Sequence, residues 1–166
     1  MLGLGIGLSY QTKINLHLGD TYQGGLIFYL DGSGGGLIAA PSDQSNSAVW
    51  GCSSTPITGA DGTDIGTGAQ NTIDILAECT TADIAADLCR DLTIGAYSDW
   101  FLPSKDELTQ MYNNLHQEGL GSFSSAIYWS SSEFSNTHAW RRDFNSGSQN
   151  KNSKGDGNDV RAIRSF

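Results

Sequence analysis

Tyr128-Trp129-Ser130-Ser131-Ser132-Glu133 at one end and Val160-Arg161-Ala162-Ile163-Arg164-Ser165-Phe166 at the other enclose a long run of Asn, Ser, Gly, Asp, Arg and Thr. Only Phe134, Ala139, Trp140 and Phe144 interrupt that run with apolar side chains. Both ends read as core strands, rich in the aromatic and β-branched residues that pleated, half-buried surfaces favour. The spacing predicts strands over 127–131, about 139–144, weakly near 148–151, and over 160–163. A polar display held between two hydrophobic clamps has the make-up of a binding surface more than of a reaction centre.

Immediately upstream, Trp100-Phe101-Leu102 leads into Pro103-Ser104-Lys105-Asp106-Glu107, an S-x-x-E capping box. Leu108, Met111, Tyr112 and Leu115 then recur at i, i+3, i+4 and i+7, the stripe of an amphipathic helix that Gly119 and Gly121 close. Met111 and Tyr112 are therefore core residues. Before this helix the spacing predicts two shorter ones. The first is capped at Asn71-Thr72 with Ile73, Leu76 and Ala77 inward. The second runs from about Ala82, burying Ile84, Ala85, Leu88, Cys89 and Leu92, and stops near Gly95.

Nearer the N-terminus, Leu26–Leu30 and Leu37–Ala40 flank the turn Asp31-Gly32-Ser33-Gly34-Gly35-Gly36 and read as a hairpin stopped by Pro41. Ala48-Val49-Trp50 reads as a strand fragment. Ile14, Leu16 and Leu18 alternate through residues 10–20 as in a half-buried strand. Strands at both ends around central helices make the fold class α+β, not an alternating βαβ order, and the terminal strands are expected to pair.

A chain of 166 residues falls in the range of one domain, roughly 100–200 residues. The expected division is a strand or linker segment over 1–18 and a binding domain over 19–166. The run of Met1 to Leu8 lacks a basic flank and is too short to cross a bilayer, so neither a secretory leader nor membrane insertion is expected. A net charge of −9 argues against a nucleic-acid partner, which calls for a basic face. Six of the nine cations nevertheless lie beyond residue 140: Arg141, Arg142, Lys151, Lys154, Arg161 and Arg164. Glu133, Asp143, Asp156 and Asp159 are the expected partners of these cations. The three cysteines leave at least one thiol unpaired and show no CxxC spacing. Cys89 reads as a core residue, and Cys52 with Cys79 is left open as a bridge that an oxidising compartment would permit.

The sequence holds no G-x-S-x-G, H-E-x-x-H or P-loop. Gly66-Thr67-Gly68 matches only the start of a dinucleotide fingerprint and lacks its third glycine and leading strand. His17, His116 and His138 are isolated, His116 at the exposed end of a helix. No cofactor is called for. Asp31–Gly36, Asp61–Asp64 and Gly155–Asp159 offer the oxygen ligands calcium takes, but without the EF-hand pattern, and Asp and Asn favour turns on their own account.

Several blocks together carry a resemblance. Asp20-Thr21-Tyr22-Gln23-Gly24-Gly25-Leu26-Ile27-Phe28-Tyr29-Leu30, Gly36-Leu37-Ile38-Ala39-Ala40-Pro41-Ser42-Asp43-Gln44, Asp99-Trp100-Phe101-Leu102-Pro103-Ser104-Lys105-Asp106-Glu107-Leu108 and the two clamps resemble the C-terminal domain family of bacterial collagen-like adhesins. The resemblance spans about Gly19 to Phe166. It implies a C-type-lectin-like fold and a surface or secreted binding role without catalysis. The lectin calcium signatures Glu-Pro-Asn and Trp-Asn-Asp are missing, and Gly157-Asn158-Asp159 echoes them only in part.

A narrower resemblance is to the variable protein of a diversity-generating retroelement, in which copying errors at template adenines rewrite chosen codons, usually AAC. Such errors reach Ser, Gly, Asp, Thr, His, Arg, Phe and Tyr among others, and never Lys, Gln, Glu or Trp. Residues 134–159 are rich in the reachable set: Ser135, Asn136, Thr137, Arg141, Arg142, Asp143, Ser146, Ser148, Asn150, Asn152, Ser153, Gly155, Asp156, Gly157, Asn158 and Asp159. Trp140, Gln149, Lys151 and Lys154 lie outside it and read as fixed scaffold, with Trp140 and Phe144 anchoring the ribbon in the core. The resemblance implies a non-enzymatic domain at a phage tail tip or cell surface, outside the cell, meeting a protein or glycan receptor; oligomerisation is left open. A fixed-specificity adhesin domain and an enzyme of the formylglycine-generating group are the rival readings.

Overall fold

The computed structural model describes residues 15–166. Its element order is β1 (Thr21–Tyr22), β2 (Gly25–Leu30), β3 (Gly36–Ala39), β4 (Ser45–Val49), α1 (Gly68–Glu78), α2 (Ala85–Arg90), α3 (Lys105–Met111), β5 (Ile127–Glu133), β6 (His138–Asp143), β7 (Gln149–Ser153), β8 (Gly157–Val160) and β9 (Ile163–Ser165). One sheet is ordered β1-β2-β3-β9 and the other β4-β8-β5-β6-β7. The chain's last strand thus pairs with the N-terminal hairpin, Ile38 opposite Arg164. This is the expected α+β class with paired terminal elements.

β5 is the wall between two cores. Successive side chains of a strand point to opposite faces, so Trp129 enters a cluster with Trp50, Ile38, Ile75, Ile84 and Leu102, while Tyr128 enters one with Phe28, Leu108, Met111, Tyr112, Leu115 and Phe144. α3 supplies the second cluster as its stripe predicts. Its capping box forms in both directions, and the helix runs on into a π-helical turn over Tyr112–His116. His116 is half-buried there, its ring 5.0 Å from that of Phe144 and 5.4 Å from that of Tyr112. No helix among the described residues is long and apolar enough to cross a membrane.

The structure corrects four local expectations. Residues 15–20 form no strand, because Gly19 turns at φ +85° and the Asp20 carboxylate accepts from the His17 backbone N–H; residues 10–14 lie outside the described part. α1 begins at Gly68 and buries Asn71, Thr72 and Ile75, leaving Ile73 exposed. Polar side chains win its inner face because they stitch loops: Asn71 Nδ2 donates to Gly62 O at 2.7 Å, and Thr72 Oγ1 accepts from Leu102 N–H at 3.1 Å. α2 is shorter than expected, starting after Asp83, which holds φ +59°. Finally, the strand expected over 160–163 is two strands in different sheets. The crossing residue is Arg161, fully buried, whose guanidinium reaches Asp43 at 2.6 Å, Ala40 O at 3.0 Å and Gly121 O at 2.8 Å. Those acceptors lie off the sheet and draw the chain out of it.

Cys52 and Cys79 form a disulfide, the pairing the sequence left open. Cys89 is free and fully buried, and burial pushes its thiol pKa far above the ordinary value, so it stays an inert core residue.

Candidate functional site

β6 and β7 form an antiparallel ribbon in register Ala139↔Asn152, Trp140↔Lys151, Arg141↔Asn150 and Arg142↔Gln149. β7 is the free edge of its sheet. With a side-chain period of two, one face carries Trp140, Arg142, Gln149, Lys151 and Ser153, and the other Ala139, Arg141, Asp143, Asn150 and Asn152.

The first face leans on α3. Lys105 Nζ sits 5.3 Å over the Trp140 ring, and Gln149 Nε2 donates to Lys105 O at 3.2 Å. Arg142 Nη1 donates to Thr109 Oγ1 at 3.0 Å, while its guanidinium lies 4.4 Å over the Tyr112 ring. Burial presses the Arg142 pKa down from its ordinary value. Trp140 is half-buried on this face and not in the core; its ring meets exposed Phe134 edge-on at 5.3 Å. Of the two expected anchors only Phe144 enters the core.

The second face is a polar row. Arg141 Nε donates to Asn152 Oδ1, and Asn152 Nδ2 donates to Asn158 Oδ1, both at 3.3 Å. Arginine can only donate, so it fixes the orientation of both amides down the row.

Three turns complete the site. Ser135, Asn136 and Thr137 join β5 to β6, and Ser135 Oγ accepts from the His138 N–H. Ser146 and Ser148 join β6 to β7 around Asp143, whose carboxylate accepts from the Ser146 hydroxyl at 2.8 Å and from the Asn145 N–H; these bonds hold its pKa below the ordinary value. Gly155 and Asp156 lie exposed between β7 and β8. Asn158 and Asp159 do not belong to this surface. Each is only 6% exposed on β8, Asn158 opposite Ala48 and Asp159 beside Tyr128. Their residue type matched a display, but β8 lies inside the sheet.

The cations also have other partners than expected. Lys154, fully buried, pairs with Glu133, but Arg161 pairs with Asp43 and Arg164 with Asp99 at 2.6 Å. Asp159 faces Asp43 and Arg161, and among the described residues no group donates a hydrogen bond to its carboxylate. Burial, then the Asp43 charge, raise its pKa from 3.8 to about 6, Arg161 opposing them. Ionised Asp159 therefore costs the fold stability at neutral pH, and that cost disappears as pH falls through about 6 towards 3.8. Asp159→Asn is expected to stabilise by about 1–2 kcal/mol at pH 7.5, and by nothing at pH 4; urea midpoints of both proteins at the two pH values check this.

Sequence reasoning missed the polar clamps that hold the ribbon. Ser130 Oγ donates to Trp140 O at 2.8 Å, and Ser132 Oγ donates to Gly62 O at 2.6 Å and accepts from Lys105 N–H. A run of three serines on a strand that must be buried on both faces was the available signal. The turn of Asp31 serves its own backbone, its carboxylate accepting from the Ser33 and Gly35 N–H groups. Among the described residues no group of three or more His, Cys, Asp or Glu converges on a metal position.

Fold and site thus define a mixed α+β domain with a polar ribbon and turns at the edge of one sheet, seated on two packed cores. The chain matches the Lcl C-terminal domain family over residues 40–164, most of its length, and belongs to that family. Membership makes it a lectin-like binding domain. No curated protein matches the chain.

Proposed function

We propose that this is a non-enzymatic receptor-binding domain of C-type-lectin-like fold whose β6–β7 ribbon and adjoining turns form a diversified surface, as in a retroelement variable protein on a phage tail tip or cell surface. The observation that carries the reading is the sorting of residues on the ribbon. Trp140, Gln149 and Lys151, which adenine copying cannot produce, all lie on the face towards α3; the opposite face holds only residues it can produce. Trp140 and Gln149 sit where the ribbon meets α3, and Lys151 lies over the exposed Phe134 ring. The Cys52–Cys79 disulfide supports a place outside the reducing cytosol.

The proposed contact set is the exposed Asn136, Ser146, Ser148, Asn150, Gly155 and Asp156, with Ser135, Thr137, Arg141, Arg142, Asp143, Asn152 and Ser153 half-buried beside them. Short hydroxyl and amide side chains exchange there with little effect on the fold, within about 0.5 kcal/mol each, and offer adaptable hydrogen bonds to a receptor. The gene tests the reading. These positions should be read from codons ending in C that descend from AAC, beside a near-copy template and a reverse transcriptase, and copies from related genomes should differ mainly between residues 134 and 157. Uniform variation along the chain, or no template, would leave a fixed-specificity adhesin domain in its place.

A further inference from the structure

The ribbon is where this acidic protein keeps its uncompensated positive charge. Among the described residues, Arg90, Lys105, Lys154, Arg161 and Arg164 each meet a carboxylate within 4.0 Å. The cations that meet none are Arg141, Arg142 and Lys151, all on β6 and β7. Unpaired buried groups have the same sign: Arg141 Nη1, Arg142 Nε and Asn158 Nδ2, on the ribbon and on β8, are the buried side-chain polar atoms of the described residues without a partner, and all three are N–H donors. Arg141 and Arg142 lie on opposite faces of the ribbon and these atoms are enclosed, so the positive charge open to a partner is that of Lys151.

The apolar part of that surface is equally specific. Trp50, Trp100 and Trp129 each donate their indole N–H to a backbone carbonyl, at 2.8, 3.1 and 2.9 Å. Trp140 alone among the four has no acceptor in the described residues. Beside it stands Phe134, 48% exposed and the one aromatic side chain among the exposed large hydrophobics of the described residues. Lys151 Nζ lies 3.9 Å over the Phe134 ring and 5.7 Å from that of Trp140, with Lys105 on the other side. Two ammonium groups are thus held against two rings by cation–π attraction, beside a free indole N–H.

Resting on the binding role above, we infer that Phe134, Trp140, Lys105 and Lys151 form an anchor for an acidic segment of a protein partner, taking a Glu or Asp carboxylate together with a neighbouring apolar side chain. The ammonium over Phe134 covers a face that a neutral sugar ring would need for stacking, so an anion is favoured. A half-buried Trp next to an exposed Phe, ringed by short adaptable polar groups, has the composition of protein-recognising surfaces, where aromatic anchors concentrate the binding energy. Trp140 and Lys151 are codon-fixed on the proposed reading and Lys105 lies outside the varied stretch, so variants with different displays would keep this part of the anchor while Phe134 could change. The kept part would set a common affinity, and the variable row beside it would set which partner is held.

The test pans a phage-displayed random peptide library on the domain and titrates the selected peptides into ¹⁵N-labelled protein. Expected are peptides with Asp or Glu next to Leu, Phe or Tyr that shift the Trp140 indole N–H resonance and bind about tenfold more weakly to Trp140→Ala and Lys151→Gln, with thermal midpoints unchanged for Lys151→Gln and Phe134→Ser. Selection of neutral or basic peptides, or of none, would overturn the inference. So would acidic peptides that bind the variants as well as the parent. A shift of the Trp140 resonance by hyaluronan but not by acidic peptides would assign the anchor to an acidic glycan instead, and self-association lost in Lys151→Gln would assign it to a second copy of the chain. Binding lost in Asn136→Ala and Asn150→Ala but kept in Lys151→Gln would remove the anchor and leave the ribbon reading standing.

Discussion

Glu107→Ala is expected to lower stability by about 4 kcal/mol, far more than loss of an exposed capping residue, because it strips acceptors from two backbone donors at once. The Glu107 carboxylate is fully buried. It accepts from Ser104 N–H at 2.7 Å and from Gly66 N–H at 2.8 Å. It thereby ties the start of α3 to the loop that opens α1. Gly68 must be glycine for the same reason: a Cβ there would lie 2.2 Å from Glu107 Oε2 and 2.7 Å from Ser104 N. Burial raises the Glu107 pKa and the backbone donors oppose that rise, so the carboxylate belongs to a closely balanced site. Glu107→Gln replaces one acceptor oxygen with a donor and should recover only part of the loss. Ser104→Ala, which removes one cap acceptor, should cost about 1 kcal/mol. Urea unfolding of the three variants gives the ranking; a Glu107→Ala protein within about 1 kcal/mol of the parent would show that water replaces the carboxylate.

That network marks the boundary of what the chain discloses in one dimension. The capping box and the stripe of Leu108, Met111, Tyr112 and Leu115 are local patterns, and each appears in the structure as read. The glycines before α1 matched only the start of a dinucleotide fingerprint, and in the structure the Gly66 N–H does hold an anion. The anion is the protein's own Glu107, supplied from another helix. Arg161 and Arg164 were expected to pair with nearby carboxylates, whereas their acceptors, Asp43 and Asp99, lie far away in the chain. Nothing local reveals that Val160 and Ile163 serve different sheets. On the ribbon, a period of two sorts the side chains only once the register is known: Trp140 read as a core anchor, and Lys151 as fixed scaffold of no stated place. Pairing Trp140 with Lys151 places both on the rim beside α3. Residue chemistry alone likewise put Asn158 and Asp159 in the display, because exposure is a property of the sheet and not of the residue type.

The two lysines of the ribbon should part company when removed. Lys154→Ala is expected to cost about 3–5 kcal/mol, the effect of breaking a buried ion pair from one side. The Lys154 ammonium pairs with Glu133, donates to Thr55 O at 2.7 Å, and lies 4.6 Å over the Trp50 ring. Without it the Glu133 carboxylate, which also accepts from Ile57 N–H, is left charged and nearly enclosed. The backbone of Lys154 does a second job: its carbonyl accepts from Trp50 N–H at 3.0 Å, and its N–H donates to Thr137 O at 2.9 Å. Side chain and main chain together fasten the β5–β6 and β7–β8 turns to the body of the domain. Lys151→Ala, at an exposed position without an ion pair, should stay within about 0.5 kcal/mol of the parent. A Lys154→Met protein, which keeps the stem and drops the charge, tests the cause: paired with Glu133→Gln it should regain much of the loss, whereas Lys154→Met alone should not. If both lysine variants unfold at the same urea concentration, the ribbon is not held at Lys154. If they separate as expected, receptor binding lost in Lys154→Ala reports a loosened frame, and binding lost in Lys151→Ala reports a contact.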